Sequence, residues 1–256
     1  MQMTSVKLID YKAFYVFVIV ALIVGIPVKL VCTTVAVARN PSGVTLAADS
    51  LTLDGRKKIN ACKIHDSGAF FFSVVGILLD IKTGFDTAAL GRRAISQSKS
   101  LHDSVRKFEA LTIPPFEKEL RHIRSDGRQF YEREVRGHPE PLQAVFVGIE
   151  DGKPAYVVVF FTVADDSDGR MVVVSHVHDC PGDCRENPGP IVLGSNVAAQ
   201  AAIREPIWWR GLNPISAMRK IIETEIIAEP DRVGPPVSLA YIDLSGKHWV
   251  DKGACN

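Results

Sequence analysis

The sequence predicts an α+β fold in which two antiparallel sheets lie between layers of helix, a four-layer αββα sandwich. Three observations carry this. Runs rich in valine, alanine and phenylalanine, bounded by turn pairs, occupy residues 33–75, 142–177 and 237–250. Apolar residues at helical spacing fill much of 77–136, 198–205 and 214–227. Neither GxGxxG nor GxxxxGKS occurs, so nothing marks a parallel sheet that cradles a nucleotide. Strands, helices, strands, helices, strands is an order that folds as stacked sheet and helix layers.

Each element follows from local chemistry. Residues 33–39 (TTVAVAR) read as a strand, and Asn40, Pro41, Ser42 and Gly43 as a turn, because proline fixes φ and glycine accepts positive φ. Residues 44–48 return as a second strand, so the hairpin brings Asp49 back towards Thr33. After a turn at Asp54-Gly55, residues 57–64 form a third strand that carries Lys63, and 69–75 (AFFFSVV) a fourth that ends at Gly76. Residues 77–111 then read as helical, with Leu78, Ile81, Phe85, Ala88 and Ala89 on one face. Pro114 and Pro115 interrupt, and 116–136 form a second, charged helix. Strands 142–149 and 155–163 pair across Glu150-Asp151-Gly152. Residues 171–177 are a further strand, 180–190 a loop, and 191–193 a short strand ending at Gly194-Ser195. Helices at 198–205 and 214–227 precede the last two strands, 237–243 and 247–250.

The chain of 256 residues is 46% hydrophobic and 23% charged, which suits a sizeable core and argues against disorder. Its net charge of +1 and the lack of a basic stripe give nucleic acid nothing to bind. No internal repeat is evident. Residues 1–32 read as a leader and 33–256 as one domain. Lys7 and Lys12 precede an almost wholly apolar stretch at 13–28, closed by Lys29. The stretch is shorter than the roughly 20 residues of a spanning helix. It fits an export signal followed by a secreted or periplasmic domain, with an N-terminal membrane anchor or a buried core segment as alternatives. Leu30 sits where signal cleavage prefers a small residue, and Lys29 and Val31 do not make a lipobox. Of five cysteines, cutting before Thr33 removes Cys32 and leaves Cys62, Cys180, Cys184 and Cys255. These are two disulfides in an oxidising compartment, with three possible pairings, or else free thiols.

Cutting before Thr33 also gives that threonine a free α-amine beside its own hydroxyl, a nucleophile with a built-in base. Five features then resemble the β-type subunits of the proteasome and the HslV peptidase, within the N-terminal-nucleophile hydrolases, over most of the chain from Thr33 to Val250. Thr33-Thr34-Val35-Ala36-Val37 looks like the mature N-terminus. Asp49 follows sixteen residues later, in Ala47-Ala48-Asp49-Ser50. Lys63-Ile64 matches the family's lysine, on a segment about two residues short. Val74-Val75-Gly76 sits where the oxyanion glycine is found, and Leu193-Gly194-Ser195 precedes a small-residue helix. Asp231 aligns with an acid near the C-terminus, but Gly234 stands where the family has a serine.

The resemblance implies amide hydrolysis through an acyl-ester on Thr33, with no cofactor and no metal. It also implies peptide or small amide substrates and a homo-oligomer. The residue chemistry agrees. The α-amine takes the hydroxyl proton, Lys63 depresses both pKa values, Asp49 holds Lys63, and the Gly76 N–H receives the oxyanion. Singly, each has a plainer role: Thr33 as a strand residue, Asp49 and Gly76 as turn residues, Lys63 as a surface charge, Ser195 as a helix cap. A retained leader would instead leave a non-catalytic binding or structural subunit. Cys32 as the nucleophile of an amidohydrolase is a third reading, although counting from it turns Asp49 out of phase. His176, His178, Cys180 and Cys184 match no standard zinc spacing and read as a strand end followed by a stapled loop. Trp208 and Trp209 read as packing or a subunit contact.

Overall fold

The computed structural model describes residues 29–31, 33–54, 57–80, 82–184, 189–205 and 212–255. The apolar stretch 13–28, Cys32, Trp208 and Trp209 lie outside these. The strands are β1 (Lys29–Val31), β2 (Thr34–Asn40), β3 (Gly43–Ala48), β4 (Leu51–Asp54), β5 (Lys57–Asn60), β6 (Ile64–Ser67), β7 (Phe70–Asp80) and β8 (Phe85–Asp86). Helices α1 (Thr87–Ser96) and α2 (Leu101–Asp126) come next, then a short helical run to Arg136. The chain continues through β9 (Leu142–Glu150), β10 (Lys153–Asp165), β11 (Met171–Cys180) and β12 (Ile191–Gly194). It closes with α3 (Val197–Arg204), α4 (Pro214–Ala228), β13 (Ser238–Asp243) and β14 (Gly246–Asp251).

This is a mixed α+β protein with antiparallel sheets. One sheet runs β1-β7-β9-β10-β11, with β6 and β8 also pairing β7; a second runs β12-β2-β3-β13-β14; β4 and β5 form a ribbon. Period-two alternation sorts the side chains. In β7, Phe70 and Phe72 meet Val105, Phe108 and Leu120 of α2, whereas Phe71 turns to a cluster shared with Val35, Val37, Leu46 and Ala240 of the second sheet. In β2, Ala36 faces the other way and packs with Ala199, Met218, Ile221 and Ile222 of α3 and α4. Each fully buried phenylalanine contributes about 1.5–3 kcal/mol over an exposed one. Among the described residues no helix is long and apolar enough to cross a membrane.

Three sequence expectations are corrected. Residues 77–80 continue β7, where Ile77 and Leu79 pair with β1 and Leu79 with Asp86 of β8; the partners override a spacing that fits a helix. The first helix starts at Thr87, after Asp86, whose side chain caps Ala89 N at 2.9 Å. Pro114 and Pro115 do not interrupt: α2 runs through both, because Phe108, Thr112, Phe116 and Leu120 around them are buried. An interior proline costs about 3 kcal/mol locally, and tertiary packing of this face outweighs it. Finally, the strand expected over 57–64 splits. β5 ends at Asn60, β6 begins at Ile64, and Lys63 lies in the connection between them.

Candidate active site

The hairpin of β2 and β3 sets the site. Asn40 Oδ1 accepts from Ser42 N at 2.9 Å and Gly43 N at 2.8 Å, which fixes the turn and so the register. Val35 then lies opposite Ala48, and Asp49 leaves the strand end beside Thr34. Asp49 is fully buried and accepts four hydrogen bonds. Oδ1 takes Thr34 N at 2.9 Å and Lys63 Nζ at 2.8 Å; Oδ2 takes Leu51 N at 3.0 Å and Gly234 N at 3.1 Å. Burial pushes this carboxyl up from its ordinary value, and the Lys63 ammonium leads the donors that pull it back. Four donors and no acceptor around the two oxygens make it the carboxylate of a buried ion pair. Lys63 is 4% exposed and also donates to Leu51 O. A buried ammonium without such partners is costly.

Thr33 and Thr34 are clamped between this acid and the end of β12. Ser195 N donates to Thr33 O at 2.9 Å, and Thr34 Oγ1 donates to Ser195 O. Gly194, at φ +80°, makes the close approach possible: a Cβ there would collide with Thr33 O and with the Val75 side chain. Thr33 is fully buried, and its Oγ1 has no hydrogen-bond partner among the described residues. A buried hydroxyl left unpaired costs about 1–3 kcal/mol.

Gly76 sits inside β7, not at a strand end before a helix. Its φ of +103° lets it pass the Pro141 carbonyl, which a Cβ would strike. Val31 lies opposite it on β1, two residues before Thr33, and β1 runs beside β4. Thus Thr33 and Ser195 adjoin Val75 of β7, next to Gly76, and Asp49 pairs with Lys63 beside Thr34. Asp231 does not join them. Its carboxylate is 92% exposed and pairs with Lys58 Nζ at 2.8 Å, in the turn after α4. The chain sends the backbone N–H of Gly234 to Asp49 in its place.

Sequence reasoning missed two supports. Gln143 Oε1 accepts from Gly194 N at 2.9 Å while Gln143 pairs with Val75, so it ties the β12 end to β7. Ser50 donates Oγ to Pro236 O at 2.5 Å and N to Gly234 O at 3.0 Å, holding the C-terminal loop over Asp49. Neither residue type announces such a role in a strand or a turn.

The cysteines pair as Cys62–Cys255 and Cys180–Cys184. The second pairing takes up both thiols of the His176 to Cys184 segment. His176 stacks on Phe160, and His178 Nε2 lies 3.5 Å from Cys184 Sγ. Among the described residues no three metal-ligating side chains converge.

No family model and no curated protein matches this chain. Among solved structures it is similar to an Anbu (Gly-1) mutant from Hyphomicrobium sp. strain MC1, at a TM-score of 0.51 and 13% identity over 86% of this chain and 87% of that one. The likeness is one of fold. A second structure, Thiobacillus denitrificans BPH, aligns at a TM-score of 0.47 and 16% identity over 82% of this chain and 98% of that one. These findings correct the expected place in the proteasome β-type and HslV family. With no family model matching and 13% identity to the Anbu structure, only a fold is shared. Gly234 in place of a serine is one visible point of divergence.

Proposed function

We propose that residues 33–256 form a threonine-type N-terminal-nucleophile amide hydrolase, made competent when the leader 1–32 is cut away. One observation carries the reading: a fully buried Thr33 hydroxyl with no hydrogen-bond partner among the described residues, next to a buried Asp49–Lys63 pair. A freed α-amine, with an ordinary pKa near 8, takes the Oγ1 proton directly or through one water. The Lys63 cation favours both the neutral amine and the forming alkoxide. Asp49 holds Lys63 in place, and its bond to Thr34 N fixes the residue next to the nucleophile. Oγ1 attacks the amide carbon, the oxyanion faces the backbone of β7 at Gly76, and the amine returns the proton to the leaving nitrogen. Water then hydrolyses the ester. One well-placed oxyanion donor is worth about 3 kcal/mol.

Three further features support the reading. The three apolar clusters fit a four-layer αββα stacking, which leaves Thr33 at the end of the inter-sheet core. Both disulfides suit an oxidising compartment, and so an exported domain. Residues 29–31 lie as a strand on β7 with Val31 opposite Gly76, so the leader fills the edge where an extended peptide would lie. That last feature also favours a second reading, a structural subunit that keeps its leader.

The test is the N-terminal sequence of protein from its own host, with peptide and amide hydrolysis assayed beside Thr33→Ala. A Thr33 start with activity lost in the variant is the expected result. An intact leader, or full activity in Thr33→Ala, overturns it.

A further inference from the structure

Lys63 is placed by its backbone as well as by its ion pair. It lies in the connection 61–63 between β5 and β6, outside any strand ladder. Among the bonds on that connection are Ala61 N to Ser50 O at 2.9 Å and Ser73 Oγ to Lys63 O at 2.7 Å. Between Ala61 and Lys63 stands Cys62, bonded to Cys255 across 193 residues of chain.

The other end of that bridge is not a loose tail. Cys255 N donates to Lys252 O at 2.7 Å, and Gly253 N to Asp251 Oδ1 at 3.0 Å. Ser238 Oγ donates to Lys252 O at 2.9 Å. Gly253, at φ +53°, lies so close to Ser238 that a Cβ would come within 2.6 Å of its Oγ. Ser238 in turn pairs with Ala48, the residue before Asp49. A closed circuit results. It runs from Asp49 through Ala48, Ser238 and the C-terminal turn to Cys255, across the disulfide to Cys62, and through Lys63 back to Asp49 at 2.8 Å. The bridge is a covalent cross-link, beyond the main chain itself, between the segment that carries the lysine and the C-terminal turn beside the strand end that carries the acid.

We propose that the Cys62–Cys255 disulfide is a positioning group for Lys63, so that the site is competent in the oxidised chain and not in the reduced one. This rests on the reading of Lys63 as the lysine of the hydrolase site. The physical demand is strict. A lysine has four rotatable side-chain bonds, and its ammonium meets Asp49 Oδ1 and Leu51 O only while its own backbone stays in place. A displacement of about 1 Å in a catalytic site costs on the order of a hundredfold in rate.

The experiment uses the chain beginning at Thr33, with Cys255→Ser, Cys62→Ser and, as control, Cys184→Ser. Reductive methylation followed by peptide mass mapping reads the accessibility of Lys63, with exposed Lys58 as internal standard. The expected result is slow methylation of Lys63 in the parent and in Cys184→Ser. In either bridge variant Lys63 reacts at a rate close to that of Lys58, while the helical and strand signals of circular dichroism stay at parent levels. In the same variants kcat falls on the order of a hundredfold, KM changes little, and the acid limb of the pH profile moves up as the α-amine loses its neighbouring cation. If a bridge variant fails to fold, the folded parent is treated with a dithiol. The bridge is thereby reduced to two thiols while the reagent closes to its cyclic disulfide, and freed Cys62 is scored by alkylation. Lys63 that stays protected after Cys62 is freed overturns the proposal. An inactive parent in which Lys63 protection still depends on the bridge supports the positioning role and overturns the hydrolase reading instead.

Discussion

Two of the carboxylate–lysine pairs among the described residues share an N–O distance of 2.8 Å and differ in every surrounding. Asp49–Lys63 is buried, at 0% and 3% side-chain exposure; Asp231–Lys58 stands in water, at 92% and 49%. Around Asp49 three backbone N–H groups complete the shell, whereas among the described residues the Asp231 carboxylate is bonded by the lysine head group. The pairs show that distance alone does not define an interaction. Removing one partner of a buried pair strands the other, and removing an exposed partner returns the other to solvent.

The comparison breaks most readily at Asp49. Asp49→Ala leaves the Lys63 ammonium and the Thr34, Leu51 and Gly234 amides without their acceptor. The expected loss is roughly 3–5 kcal/mol in urea unfolding, together with loss of hydrolysis. A loss no larger than that of a surface substitution would remove Asp49 from the account. Lys63→Met is next. Asp49 keeps three backbone donors, so the expected stability loss is smaller, about 1–3 kcal/mol. The rate of the chain starting at Thr33 falls roughly a hundredfold or more. Equal losses of stability in the two variants would mean that the backbone donors contribute nothing.

His102 offers an intermediate case. Its Nδ1 meets Glu150 at 2.7 Å and its Nε2 meets Asp179 at 3.0 Å, and these bonds raise its pKa above the ordinary 6.5. A raised folded-state value stabilises the fold when the ring is protonated. That contribution is fully present below the unfolded value and is lost as pH rises through the folded one. The thermal midpoint of His102→Gln should therefore fall below that of the parent at pH below the ordinary 6.5 and approach it as pH rises through the raised value. A gap that widens with rising pH would contradict this. The smallest effect belongs to Asp231→Asn, for which no change in midpoint or rate is expected, in low or high salt. A loss of activity there would return Asp231 to the site.

The readable and unreadable parts of the site divide along the same physical line. The β2–β3 hairpin was legible because Asn40 to Gly43 is a turn with a mechanism and the apolar runs on either side fix the register; Asp49 beside Thr33 follows from that. Thr33, Asp49 and Lys63 stand out by type and spacing, and the structure pairs Asp49 with Lys63 beside Thr34; their chemical task is the proposal. The Gly234 N–H does not stand out, since a backbone donor has no residue signature, and the Asp231 spacing gave no direction for its side chain. Gly76 was located, but its strand was cut short, because the residues that extend β7 through Ile77 and Leu79 are paired by β1 and β8, which are distant in local pattern. Pro114 and Pro115 carried a valid local rule that the burial of one face of α2 overrode.

The central claim is that Thr33 acts through its own freed amine. The most direct measurement compares two chains that differ by one residue, one beginning at Thr33 and one at Cys32, assayed on the same peptide and amide substrates. Both keep the Asp49–Lys63 pair and the Ser195 clamp, but only the first has an amine beside the threonine hydroxyl. The account predicts hydrolysis by the Thr33 chain and none by the longer one. Equal activity, activity only in the Cys32 chain, or none in either would contradict it.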